Sequence, residues 1–313
     1  MSWYPTAMPS QAGRRYLVTG ANAGVGFFTA ARLAGAGAHV VLAGRSPERL
    51  EAAMAAIRQA LEARSPSSAE GSVEPLVVDV ASLDSVRAGA ARLLHRPPFD
   101  GIVANAGMVH TPGVRLESPD GNELVLATNV LGHFALLARL SPNLAPGARI
   151  VTLGSLSSRL STFRLDDLQL ERGYDSWRAY AQSKIATQVF AFELDRRLRA
   201  AGAPLSSIVA HPGYSVGGRT PRVPGVNEPS TGKRFRDALQ GAWAQGKHRG
   251  AEVPLHALTA AGVEGGQFWG PRLTTKGAPA LQTPTRTSTD AAIGTRFWAF
   301  AEAATGTTFT VGA

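Results

Sequence analysis

Tyr16-Leu17-Val18-Thr19-Gly20-Ala21-Asn22-Ala23-Gly24-Val25-Gly26 runs an aliphatic segment straight into a glycine-rich turn, and a helical pattern follows from Val25 to Ala34. A phosphate-binding turn needs that order of strand, turn and helix. Glycines let the backbone approach a pyrophosphate, and the helix start offers free N–H groups and the positive end of its dipole. A glycine cluster alone marks an ordinary turn, but between a first strand and an apolar helix it points to a nucleotide. Gly20, Asn22, Gly24, Val25 and Gly26 are therefore the expected binding turn.

Outward from this stretch, short β-branched or aliphatic runs alternate with longer helical patterns, as in repeated βαβ units. Strands are expected at Tyr16–Thr19, His39–Ala43, Leu76–Val78, Gly101–Ala104, Arg149–Leu153, Ser207–Ala210 and Gly266–Trp269. Seven strands fit an α/β fold with one Rossmann-type, doubly wound parallel sheet. Helices are expected at Val25–Ala34, Pro47–Ala63, Leu83–Leu94, Gly121–Leu140, Ser176–Ala200, Arg234–Gln245, Ala251–Ala260 and Ala291–Ala304. Ser65–Ser72, rich in Ser and Pro, reads as a surface loop. Gly213–Gly232, rich in Gly and Pro, opens a segment expected to form a mobile substrate lid over 213–250. Residues 1–313 are read as a single domain around one sheet.

Composition narrows the function classes. Hydrophobic residues make up 44% of the chain, and no apolar run is read as reaching the roughly 20 residues that span a bilayer. No membrane partner is expected. Met1 to Arg15 lacks a continuous apolar core, so it does not read as a secretory signal, and a cytoplasmic location is the expectation. The chain has no Cys, and its seven His include no His-Glu-x-x-His arrangement, so no metal site is expected. The net charge of +9 is uneven. Arg196, Arg197, Arg199, Arg219, Arg222, Lys233, Arg234, Arg236, Lys247 and Arg249 face only Glu228 and Asp237 within the same stretch. Without interleaved aromatics or a dense arginine run, nucleic acid is not the expected partner. A solvated face, or a surface for an anionic substrate or acidic partner, accounts for these charges.

Two further places carry chemistry. Gly44-Arg45 ends the second strand, where an NAD site places an acidic residue for the ribose hydroxyls; Arg45 instead suits the 2′-phosphate of NADP. Tyr180 and Lys184, four residues apart, share one helix face. A free phenol has a pKa of about 10, and a neighbouring ammonium lowers it, which makes Tyr180 a usable acid and base.

Thr19-Gly20-x-x-x-Gly24-x-Gly26, Asn105-Ala106-Gly107 after the fourth strand, Ser155 after the fifth, and Tyr180-x-x-x-Lys184 together resemble the short-chain dehydrogenase/reductase family. The resemblance runs from about Tyr16 to Tyr214. Arg149-Ile-Val-Thr-Leu-Gly-Ser155, the long gap from Ser155 to Tyr180, and His211-Pro-Gly-Tyr-Ser215 resemble its retinol dehydrogenase and protochlorophyllide reductase-like branch. The resemblance implies an NADP(H)-dependent oxidoreductase interconverting an alcohol and its ketone or aldehyde. Tyr180 would give the proton to the carbonyl oxygen and Ser155 would polarise it. Lys184 would hold the nicotinamide ribose and lower the Tyr180 pKa, and Asn129 would anchor a relay water. Asp79 and Val80 would contact the adenine, while Asn105, Ala106 and Gly107 would back the cofactor. Pro212, Gly213 and Ser215 would complete the cofactor site. A homodimer through paired helices is also implied.

Three departures stand out. Ala104 replaces a first Asn, and the segment from Arg159 to Tyr174 is an insertion expected to lie over or beside the substrate. Gly217 occupies the place of a threonine that bonds the nicotinamide carboxamide, with Ser215 or Thr220 as the substitutes. Phe163, Tyr174, Trp177 and Tyr214 flank the site and suggest an apolar carbonyl or alcohol substrate. A substrate tethered to a carrier protein, or phosphorylated, would explain the basic stretch. The alternative reading is a non-catalytic NADP-binding sensor or scaffold with an acidic partner, against which the complete Asn, Ser, Tyr, Lys set argues. His133 and His211 read as structural. No Gly-x-Ser-x-Gly elbow surrounds Ser155, which excludes a serine hydrolase.

Overall fold

The computed structural model describes residues 8–63 and 71–311. The chain before Met8, and the expected surface loop Ser65–Ser72 up to Glu70, lie outside them. The first half comprises β1 (Arg15–Thr19), α1 (Gly24–Gly35), β2 (His39–Gly44), α2 (Pro47–Glu62), β3 (Ser72–Val77), α3 (Leu83–Ala91) and β4 (Phe99–Ala104). There follow α4 (Leu124–Leu126), α5 (Gly132–Leu140), β5 (Leu144–Leu153), α6 (Ser176–Ala200) and β6 (Ser206–Ala210). Next come β7 (Ser215–Val216), α7 (Thr231–Leu239), β8 (Gln245–Gly246), α8 (Lys247–Gly250) and α9 (Glu252–Thr259). The chain closes with β9 (Phe268–Pro271), β10 (Pro279–Leu281), α10 (Arg286–Thr289) and α11 (Ala291–Thr305).

The main sheet has the order β10-β9-β6-β5-β4-β1-β2-β3. Seven strands run parallel as expected, and β10 adds an eighth, antiparallel to β9. Three residues starting at a proline carry too little alternation to be read as a strand. Both faces of β1 are buried. Tyr16 and Val18 pack with Phe27, Leu33 and Leu255, and Leu17 packs with the cluster around Phe134, Phe190 and Trp298. Helices covering both faces explain the continuous apolar runs. β1 lies between β2 and β4, where the strand order reverses, so a crevice opens at the carboxyl ends of these strands.

α6 has the expected bounds because Asp175 caps the Arg178 N–H at 2.8 Å. The helix expected at Gly121–Leu140 is interrupted by a π-helical turn, Ala127–Leu131, which holds Asn129. Leu124–Asn143 corrects the reading that no segment reaches spanning length, since it runs for 20 residues and an 18-residue window within it has a mean hydropathy of 1.5. It is a core element, with 78% of that window buried. α7 begins before its expected start because Ser230 caps the Lys233 N–H, and it ends at Leu239.

The basic stretch does not form one uniform face. Arg196 and Arg197 pair with buried Glu193, Arg199 with Asp195, Lys233 with Asp237, and Arg249 with Glu252. Among the described residues, no such carboxylate partner is present for Arg219, Arg222, Arg234, Arg236 or Lys247.

Candidate active site

A cavity of about 990 Å³ occupies the crevice at the strand ends. Gly20, Asn22, Gly24, Val25, Arg45, Asp79, Val80, Asn105, Ala106, Gly107, Pro212, Gly213 and Ser215 line it, as do Ser155, Tyr180 and Lys184. Gly26 does not. A β-carbon on Gly26 would lie 2.4 Å from Asn105 Nδ2 and 2.6 Å from the Gly20 carbonyl oxygen. Its bare Cα lets the start of α1 pack against the end of β4. Gly20 has φ +65°, and a β-carbon there would meet Ala106 Cα at 2.9 Å, so both backbone conformation and space favour glycine.

Thr19 joins the strand ends. Its hydroxyl oxygen accepts from the Asn105 and Ala106 N–H groups, each at 2.9 Å, and lies 2.9 Å from His133 Nε2. The Asn129 carbonyl oxygen, 3.3 Å from His133 Nδ1, can only accept. Nδ1 therefore carries the proton, and Nε2 accepts from Thr19. Burial lowers the His133 pKa to about 4, so the ring is neutral and structural, as expected. The Asn105 amide donates 2.7 Å to the Thr19 carbonyl oxygen, which ties the glycine turn to the end of β4.

The α1 N-terminus fits an anion. Side chains cap α2, α3, α6, α7 and α11, whereas α1 begins at Ala23 with neither a side-chain cap nor an acidic residue in its first turn. Its first N–H groups are thus left to a ligand. Lys247 lies opposite, its Nζ 3.7 Å from where a Gly24 β-carbon would stand, and burial lowers its pKa. Arg45, Arg49 and Lys247 all line the cavity. Together the bare cradle and these cations fit the phosphates of a dinucleotide. No sequence signal identified Lys247, because this contact joins the start of α8 to the first turn of the fold.

At the other end of the cavity, the Tyr180 hydroxyl donates to Ser155 Oγ at 3.3 Å. The expected direction of the Tyr180 pKa is corrected: it is raised, because burial outweighs the Ser155 hydrogen bond. Lys184 is 6% exposed, and its ammonium donates to the Leu153 carbonyl oxygen at 2.8 Å. Burial lowers its own pKa to about 8. Sharing a helix face with Tyr180 thus does not direct its charge onto the phenol. The Asn129 side chain accepts from Met108 N–H at 2.7 Å and donates to Ser183 Oγ at 2.8 Å. That amide ties the π turn to α6 and to the loop after β4, and so offers a water only what these bonds leave.

The insertion contributes less wall than expected. Leu160 and Trp177 line the cavity, as does Tyr214, and each is exposed. Phe163 instead packs toward Phe297 in the core, and Tyr174 turns away to donate to the Pro112 carbonyl oxygen at 3.2 Å. Of the two expected threonine substitutes, Ser215 lines the cavity, with its hydroxyl on the Pro212 carbonyl oxygen at 2.8 Å. Thr220 is fully buried and bonded to Val216 and Lys247 backbone groups, so it drops out. His211 lines the cavity but accepts from Gly213 N–H at 3.2 Å, and burial lowers its pKa to about 4.

Residues 14–217 match the family model described as short chain dehydrogenase. Polyprenol dehydrogenase of Mus musculus is 40% identical over 67% of this chain, and the match spans 62% of that protein's length. Retinol dehydrogenase 14 of Mus musculus is 34% identical over 82% of this chain and 78% of its own. A crystal structure of an uncharacterised protein from Mycobacterium paratuberculosis has a TM-score of 0.79 and 33% identity, covering 99% of this chain and 100% of that one. A short chain dehydrogenase from Burkholderia cenocepacia, solved in complex with NADP, shares the fold at a TM-score of 0.62 and 22% identity, covering 83% and 97%.

Proposed function

The chain belongs to the short-chain dehydrogenase family, and from that premise we propose that it is an NADP(H)-dependent oxidoreductase interconverting an alcohol and its ketone or aldehyde. The observation that carries this reading is the hydrogen-bonded Tyr180 and Ser155 pair, with Lys184, in the same cavity as the glycine turn. A bound nicotinamide would supply or take up the hydride. Gly20, Asn22, Gly24 and Val25 would hold the pyrophosphate with Lys247, while Arg45 would bind the 2′-phosphate. Asp79, Val80, Asn105, Ala106 and Gly107 would bound the adenine and ribose side, and Pro212, Gly213 and Ser215 the nicotinamide side.

The raised Tyr180 pKa keeps the phenol protonated, which is the state that gives a proton to a carbonyl oxygen. Ser155 would donate to that same oxygen. Lys184 would hold the ribose hydroxyls, and Asn129 would brace the loop behind them. Segment 213–250 would act as the lid, since it brings Tyr214, Ser215 and Lys247 to the cavity. Relatives named for polyprenol and retinol, both alcohols, and the exposed Leu160, Trp177 and Tyr214 at the opening support an apolar substrate. Tyr180→Phe should abolish NADPH-dependent reduction of a carbonyl panel while NADPH binding, followed by calorimetry, stays within a few-fold. Near-normal turnover would sink the mechanism; NADPH binding without turnover of any substrate by the wild type would favour a sensor.

A further inference from the structure

Two arginines without a salt-bridge partner among the described residues, Arg234 and Arg236, sit on the helix that carries an exposed apolar stripe, Arg234 donating to the Thr220 carbonyl oxygen at 3.3 Å. Phe235, Leu239 and Trp243 are 70%, 67% and 51% exposed. They are spaced four residues apart along α7 and the turn that extends it, so they share one face. Asp237 lies on the opposite face, where it accepts from the Gly218 N–H at 2.7 Å, anchoring the helix to the protein, and pairs with Lys233 of the same helix at 3.1 Å. Arg234 and Arg236 flank the stripe from either side, with no carboxylate partner among the described residues.

We propose that this face docks on a bilayer surface bearing anionic phospholipid. An apolar outer face bordered by arginines suits insertion at the headgroup boundary, with the guanidinium groups on lipid phosphates. A second copy is a poor occupant. A two-fold contact would place Arg234 and Arg236 close to their own counterparts with no acid to offset them. Asp237 is the one acidic residue between Glu228 and Glu252, and it is buried and paired. The loop after β9 links the turn that carries Trp243 to the cavity wall. Lys276 bonds the Gly241 carbonyl oxygen at 2.9 Å from the loop that carries Leu273, 64% exposed, and Tyr214 N–H bonds Thr275 in that loop at 2.7 Å. The docked face would thus be linked to the wall of the cavity that an apolar substrate enters, although the docking does not depend on the proposed reaction.

The test is flotation of the full chain, without cofactor, on vesicles of phosphatidylcholine alone or mixed with phosphatidylserine. The wild type should float with the mixed vesicles far more than with phosphatidylcholine, and added salt should weaken it. Replacing all three apolar residues (Phe235→Ser, Leu239→Ser, Trp243→Ser) should cut binding by about ten-fold or more. Arg234→Glu with Arg236→Glu should lower it by about five-fold per arginine, and it carries the test alone if the triple variant melts early. No binding to mixed vesicles, or binding that both well-folded variants retain, overturns the proposal. So does a wild-type dimer that the triple variant converts to a monomer while vesicles capture neither, an outcome that assigns the face to a second copy.

Discussion

Thr19→Val keeps the shape of the side chain and removes only the hydroxyl on which the strand ends meet, so its cost can be worked bond by bond. Ala106 N–H loses its 2.9 Å acceptor, and His133 Nε2 loses the one donor that its tautomer allows. Asn105 N–H loses a 2.9 Å acceptor but keeps the Val103 carbonyl oxygen at 3.0 Å, so little is charged to it. A buried polar group left unpaired costs about 1–3 kcal/mol. The part-buried Ala106 group belongs at the low end and the fully enclosed imidazole in the middle, for a total of roughly 2–4 kcal/mol. That is a large share of a domain stability of about 5–15 kcal/mol. Urea unfolding at neutral pH measures it, with Thr19→Ser, which retains the hydroxyl, as the control. A loss below about 1 kcal/mol for the valine variant, or an equal loss for the serine variant, would refute the assignment of Thr19 as the joint between β1, the end of β4 and α5.

Lys247→Met should weaken NADP(H) binding by about ten-fold or more, the effect of losing one charge-assisted contact of roughly 1.5–3 kcal/mol. The melting temperature without cofactor should hold or rise, since the fold no longer partly buries an ammonium that has no salt-bridge partner among the described residues; unchanged calorimetric affinity would remove Lys247 from the site. His133 is held neutral with a pKa of about 4 against an ordinary 6.5, so the unfolded chain binds the extra proton between these values and stability falls as pH drops from 6.5 to 4. This residue contributes about 3 kcal/mol to that fall, and His133→Gln should flatten the dependence of the urea midpoint on pH; an unchanged slope would count against a buried neutral imidazole.

The parts legible in sequence are those whose chemistry is local. The glycine turn and α6 were readable because a strand, a cap or a helical period lies within a few residues of each; Asp175 fixes the start of α6 and so places Tyr180. What escaped depends on distance along the chain or on direction. Spacing put Lys184 on the Tyr180 face, but only the packing beneath α6 shows its ammonium turned to Leu153. Phe163 was read as a pocket wall because it precedes Tyr180, yet Phe297, far away in sequence, draws it inward. Charge counting met the same limit. Arg196, Arg197 and Arg199 looked like the start of a basic surface, but Glu193 and Asp195, just upstream, neutralise them.

Within the basic stretch from Arg196 to Arg249, the arginines without a carboxylate partner among the described residues, Arg219, Arg222, Arg234 and Arg236, all lie in the segment whose ends are joined by β7 and β8. Ser215 pairs with Gln245 and Val216 with Gly246, so the chain between them forms a closed loop with α7 at its outer side. The residues at its base line the cavity: Tyr214 just before β7, Ser215 at its start, and Lys247 just after β8. Because the same short pairing holds both, anything that fixes α7 from outside also restricts the groups that line the cavity from inside. A basic, apolar outer face and a cavity-lining inner end are then two consequences of one loop, and a substitution on either side should be measured for its effect on the other.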